Sequence, residues 1–220
     1  MKVKQSDIQR SWRNVDLEKI PSSLKLGIKN SISKSAKILD IGCGNGDDLK
    51  FLELQGFKHL YGIDINRQLI ISAKKHSNNI HISVQDAAKT DFPNCYFDYA
   101  IMKALLTVLV SDVLIVRALK ESYRTLKKGG ILQIDDFFQN WHIELYRNRY
   151  LNSFQKTGTK CTFPVFGNNG DIRYYARHFN VYDISLMLVK VGFEIIDIQF
   201  KDAVTQSGNN VIGFTIMAIK

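Results

Sequence analysis

A chain of 220 residues, 45% hydrophobic and 23% charged, has the size and composition of one ordinary globular domain with a sizeable core. It has no run near the roughly 20 apolar residues of a membrane span, no apolar signal core in MKVKQSDIQRSWRN, and only three scattered cysteines, Cys43, Cys95 and Cys161, without metal-ligand or disulfide spacing. The net charge of +9 admits a polyanionic partner, but the densest basic clusters are pairs, Lys74-Lys75 and Lys127-Lys128. A reducing cytoplasm, no metal and no membrane contact are the expectations.

In chain order, SDIQRSWRNVDLEKI and SSLKLGIKN read as helices within residues 1–35, ahead of any sheet. Trp12 and Arg13 there could cover a ligand, and Trp12 equally suits a packing anchor. From residue 36 short apolar runs alternate with helical patterns. AKILDIG, HLYGIDI, IHISV, FDYAIM and GILQIDDF read as buried strands; DDLKFLELQGF, RQLIISAKKH and SDVLIVRALKESYRTLKK read as helices. In the last helix Leu114, Ala118, Tyr123 and Leu126 form an apolar stripe. Asp112 at its start and Lys127-Lys128 at its end suit the helix dipole, and Gly129-Gly130 mark its stop. Such alternation predicts a parallel sheet with helices on both faces.

Residues 137–180 break the alternation. This aromatic, polar stretch reads as a cap inserted over one end of the sheet. Residues 181–220 follow as the helix VYDISLMLVKVGF, closed by Gly192, and two strands, FEIIDIQF and NVIGFTIMAIK. Strands with no helix between them should pair antiparallel.

Chemistry concentrates in KILDIGCGNGDDL, where Gly42, Gly44 and Gly46 follow a strand and open a helix. Glycine is costly to order, so three together imply that a ligand comes close to the backbone. The dinucleotide spacing G-x-G-x-x-G is not met, because the third glycine comes one residue early. Asp47 and Asp48 come next and would repel a pyrophosphate, so a cationic or zwitterionic ligand fits better. The second strand ends in Asp64, placed to accept hydrogen bonds from a ribose diol. The third is followed by Asp86, placed to accept from an adenine amino group. Each acid alone is also a common turn former.

ILDIGCGNG, YGIDIN, VQDAAKTDFPNCYFDYAIM and LKKGGILQIDDF resemble the successive motifs of class I methyltransferases that use S-adenosylmethionine. The likeness covers residues 36–136 and returns over 188–220. It implies an α/β, Rossmann-like fold: a seven-stranded, mostly parallel sheet whose antiparallel last strand inserts beside the fifth, helices on both faces, and the inserted cap. The whole of 1–220 is then one methyltransferase domain, with 36–136 the cofactor-binding half. It also implies that Gly42, Cys43, Gly44 and Gly46 surround the cofactor's methionine part, with Asp40 below. Asp64 and Ile65 would meet the ribose, and Asp86 and Ala87 the adenine.

The segment after the fourth strand faces the methyl group in this family; here it is AIMKALLTVL. It lacks the Asn/Asp-Pro-Pro-aromatic signature of amino-group enzymes, and Thr107 and Val108 stand where many small-molecule relatives have a His pair. Candidate bases are His178, His142 and Lys103. Trp141, Tyr150, Tyr174, Tyr175 and Arg177 are candidate substrate contacts, with Arg149 a second candidate clamp and Asp136 at the mouth. Each has a structural alternative: the aromatics a cap core, the histidines ordinary packing, Lys103 a solvated strand end, Asp136 a turn. The expected reaction is methyl transfer to oxygen or nitrogen of a small-molecule acceptor. An RNA or tRNA methyltransferase and a non-catalytic cofactor-binding module are the alternatives.

Overall fold

The computed structural model describes residues 32–75, 80–167, 169–205 and 207–220. The helices expected over residues 1–31, with Trp12 and Arg13, and the last residue of RQLIISAKKH lie outside the described residues. The elements are β1 (Lys37–Ile41), α1 (Asp47–Leu54), β2 (His59–Asp64), α2 (Arg67–Lys74), β3 (His81–Val84), β4 (Phe97–Lys103), α3 (Asp112–Thr125) and β5 (Leu126–Phe137). Then come α4 (Glu144–Thr157), β6 (Thr162–Phe166), β7 (Ile172–Arg177), α5 (Val181–Val191), β8 (Glu194–Val204) and β9 (Asn210–Ile219).

Seven strands form one sheet in the order β3-β2-β1-β4-β5-β9-β8. β1 to β5 run parallel, and β9 lies between β5 and β8, antiparallel to both. The chain returns directly from β8 into β9, so this pair has to be a hairpin. The order reverses between β1 and β4, which opens a crevice at the carboxyl ends of the strands.

Strand alternation sorts side chains to two faces. Leu39, Ala100, Leu132 and Ile216 belong to the core under α3 and α5, with Ile115, Ala118 and Leu119 from α3 and Ile184 and Leu188 from α5. Ile38, Tyr99 and Ile101 join Leu49 and Leu52 of α1 and Ile70 and Ala73 of α2 in the other core. Burying each Leu or Ile is worth about 1.5–3 kcal/mol relative to exposure. Asn66 starts α2 by accepting the N–H groups of Gln68 and Leu69, at 3.0 and 3.3 Å. Gly192, at φ +116°, ends α5 as expected.

One helix differs from its sequence reading. α3 stops at Thr125, before Lys127-Lys128 and Gly129-Gly130, because Leu126 is fully buried and pairs with Phe97 of β4. The two glycines lie inside β5, where Gly129 takes φ +77°. Lys127 pairs with Asp98 at 2.6 Å rather than with the helix end. The buried stripe is Ile115, Ala118, Leu119 and Ser122; Leu114 and Tyr123 are only half-buried.

The 137–180 segment, expected as a cap, holds α4 and the antiparallel hairpin β6–β7. Its aromatics make a core of their own around Tyr146, Tyr150, Phe163 and Tyr174, closed by Phe137 from the end of β5.

At Gly62 an added Cβ would lie 2.5 Å from Leu49 Cδ1 and 2.9 Å from Cys43 Sγ. α1 and the glycine loop therefore press directly on β2. Gly62→Ala should lower stability by about 1–3 kcal/mol, as overpacked cores do, seen as a lower urea midpoint with an unchanged slope.

Candidate active site

The glycine loop leaves β1 and is pinned to β2. Gly42 and Cys43 both donate their N–H groups to the Ile63 carbonyl, at 2.8 and 2.9 Å. Gly42 and Gly44 have φ of +81° and +55°, where L side chains are strained. A Cβ on Gly42 would lie 2.9 Å from Leu105, whereas one on Gly44 would meet nothing within 4 Å. The bare backbone at Gly44 thus borders open space. The Cys43 side chain is buried in the core under α1, and burial raises its thiol pKa well above the ordinary value. Cys43 can face a ligand only with its backbone. Gly46 is the N-cap of α1, whose first turn carries Asp47 and Asp48.

Asp64 is nearly buried at the end of β2. Its Oδ2 accepts Gly44 N–H at 3.0 Å and its Oδ1 accepts Asn66 N–H at 2.8 Å. Burial raises its pKa, and the N–H groups of Asn66, Gly44 and Ile65 oppose that. Asp40 is 2% exposed. Burial raises its pKa well above the usual range, Asp48 and Asp64 push the same way, and Lys103 opposes them.

A cleft of about 690 Å³ opens beside this loop, lined by Gly42, Ile63, Asp64 and Ile65, by residues 85–88, and by Leu105, Val108, Leu109, Leu114 and Ala118. Asp86 is exposed and accepts Ala88 N–H at 2.9 Å, so it is a turn acid that also borders the cleft. Ala87 borders it as well. Sequence reasoning missed Gln85, which orders this loop by accepting Asp91 N–H at 2.9 Å. It also missed the apolar wall after β4, whose only signal was the Leu-rich run ALLTVL.

The candidate bases and substrate contacts do not converge. Lys103, at the end of β4, forms an ion pair with Asp48, which overturns both the free base and the solvated strand end. His178 is 2% exposed inside the cap core, its Nδ1 2.7 Å from the Tyr150 hydroxyl. Burial lowers its pKa to about 3, so it is a neutral packing residue and a poor base. His142 is exposed beside α4 and is not among the cleft residues.

Tyr150 and Tyr174 are buried in the cap core, Tyr175 packs on Val110, and Trp141 is exposed with its ring edge on Tyr150. The Arg149 guanidinium lies over the Tyr146 and Phe163 rings. Arg177 is bound to Asp112 and to the Val110 carbonyl, so it is not a free clamp. Asp136 is fully buried and accepts Thr107 N–H at 3.0 Å and Phe137 N–H at 2.8 Å. Burial pushes its pKa up to about 7. Among the described residues no helix is long and apolar enough to cross a membrane.

Residues 38–130 match the methyltransferase domain family. A crystal structure of a S-adenosylmethionine-dependent methyltransferase from Methanosarcina mazei superposes with a TM-score of 0.81 at 32% identity, covering 89% of this chain and 99% of that one. The chain belongs to the class I S-adenosylmethionine-dependent methyltransferases. It is 34% identical over 141 residues to the demethylmenaquinone methyltransferase of Staphylococcus haemolyticus, covering 62% of this chain and 55% of that protein. It is 29% identical over 177 residues to a ubiquinone/menaquinone biosynthesis C-methyltransferase of Rhizobium rhizogenes, covering 72% and 65%. The chain spans between 43% and 66% of the length of the curated relatives it matches first.

The cleft suits this family's cofactor, S-adenosylmethionine. Its lining joins the side-chain-free Gly42, the Asp64 carboxylate and the apolar wall of Leu105, Val108 and Leu109.

Two buried groups set opposite pH dependences. A histidine that titrates near 6.5 when unfolded and at about 3 when folded gives stability present above 6.5 and lost as pH falls. Asp136, raised to about 7, gives stability that is greatest below its unfolded value and lost as pH rises towards 7. Comparing wild type with His178→Gln isolates the first. Their difference in unfolding free energy should shrink by about 1.4 kcal/mol per pH unit below 6.5. A pH-independent difference in urea titrations would contradict a buried neutral His178.

Proposed function

We propose that the protein transfers the methyl group of S-adenosylmethionine to an electron-rich carbon of a small, ring-bearing acceptor. The supporting observation is that both buried groups best placed by type to act as bases are engaged: His178 with Tyr150 inside the cap, Lys103 with Asp48. Such a site suits a ring carbon: the new C–C bond would form as the methyl–sulfur bond breaks, and the ring C–H proton would leave afterwards to water, not to a protein base. The two curated relatives above, named for quinone methylation and for carbon transfer, support a reduced, demethylated quinone as acceptor. This replaces the oxygen or nitrogen acceptor expected from the sequence.

In this reading the bound cofactor supplies an electrophilic methyl on a sulfonium, and the chain supplies binding and orientation. Gly42 and Gly44 let the backbone close on the methionine part. Asp64 has acceptor capacity left for a ribose hydroxyl beyond the N–H groups of Gly44, Asn66 and Ile65. Leu105, Val108 and Leu109, which line the cleft, would flank the adenine and keep water from it.

Calorimetry tests the cofactor half. Asp64→Ala should weaken S-adenosylmethionine binding by about 2–4 kcal/mol, since it removes charged acceptors and the tether of Gly44. Gly44→Val should abolish binding and, because a β-branched residue is strained at φ +55°, lower the unfolding free energy by about 1–3 kcal/mol while the protein still folds. Unchanged affinity in both would refute the placement. For the acceptor half, radiolabelled cofactor is offered with a reduced demethylated quinone, a phenol and amine panel, and bulk RNA. A new carbon-bound methyl in the quinol product supports the proposal; label appearing only on oxygen, nitrogen or RNA rejects it.

A further inference from the structure

The stretch between β4 and α3 faces two ways. Leu105, Val108 and Leu109 line the cleft, and Leu105 lies against Gly42. The backbone of the same stretch is bonded to the cap. Arg177 N–H donates to the Thr107 carbonyl at 2.9 Å, and the Thr107 hydroxyl donates to the Arg177 carbonyl at 2.9 Å. The Arg177 guanidinium donates to the Val110 carbonyl at 3.3 Å and to Asp112, the first residue of α3. It also lies over the Phe179 ring, 5.0 Å from its centre. From the other side Asp136 of β5 accepts Thr107 N–H at 3.0 Å.

Arg177 is the last residue of β7, so these bonds join the cap hairpin to the cofactor wall. Tyr175, two residues earlier, packs on Val110 in the same seam. The cap cannot shift on this wall without breaking them. A wall held in place before the ligand arrives loses less freedom on binding.

We propose that Arg177 is a positioning residue that couples the cap hairpin to the cofactor wall and holds that wall in its binding geometry before the cofactor arrives. It rests on the cofactor placement proposed above.

The test uses the full chain and S-adenosylhomocysteine as probe, at a temperature where each variant is folded. Arg177→Gln should raise its dissociation constant about tenfold, because the wall must then be ordered at the moment of binding. Amide exchange over residues 104–111 should speed up in the free variant. Arg177→Lys, which keeps a cation for Asp112, should recover part of both. Should Arg177→Gln not fold, Asp112→Asn, on a largely exposed acid, should show the same effects at smaller size. A lower melting temperature with a dissociation constant within twofold of wild type, in whichever variant folds, would make Arg177 merely structural and overturn the coupling. Wild-type protein that fails to bind the probe would overturn the cofactor placement itself.

Discussion

The Asp64 carboxylate is the constraint on which the site depends. One oxygen holds Gly44 N–H of the glycine loop, the other holds Asn66 N–H at the start of α2. Asn66 in turn caps α2. A single buried acid thus fixes the end of β2, the loop after β1 and the first turn of a helix relative to one another. Its burial is unfavourable by itself, and the backbone N–H groups offset that. The loop's left-handed turns cost least at glycine, and they keep the backbone open where Gly44 borders empty space.

The fold was legible because its signals are local. Apolar runs, turn glycines and the acids that follow strands are all read along the chain, and β1 to β5, β8 and β9 occur where those runs lie, whereas β6 and β7 fall in the stretch 137–180 that was read as a break in the alternation. The end of α3 was not legible. Lys127, Lys128 and two glycines make a good helix end, but Leu126 gains more by burial against β4, and tertiary packing overrode the local signal. The cap was read as a segment, and of the two readings left open for its aromatics the structure shows the packed core. An aromatic that lines a pocket and one that packs a core have the same sequence; Tyr146, Tyr150 and Tyr174 differ from ligand contacts only in what surrounds them. Lys103 and Arg177 were misread for a related reason. Their partners, Asp48 and Asp112, lie 55 and 65 residues away in the chain, a pairing that exists only once the sheet has formed.

The acids around the glycine loop define what the loop can hold. Loops that bind diphosphates point bare N–H groups at the ligand. Here the first turn of α1 carries Asp47 and Asp48, and Asp40 and Asp64 stand behind them. Lys103 neutralises one of the four by its pair with Asp48. The rim is therefore anionic in a chain whose net charge is +9, the reverse of what whole-chain charge suggests. A pyrophosphate would be repelled there, while a ligand bearing an ammonium and a sulfonium would be attracted. Local field, set by the acids at strand and helix ends that Lys103 does not neutralise, outweighs the distant lysines because screening limits an exposed charge to about 8–10 Å at ordinary ionic strength.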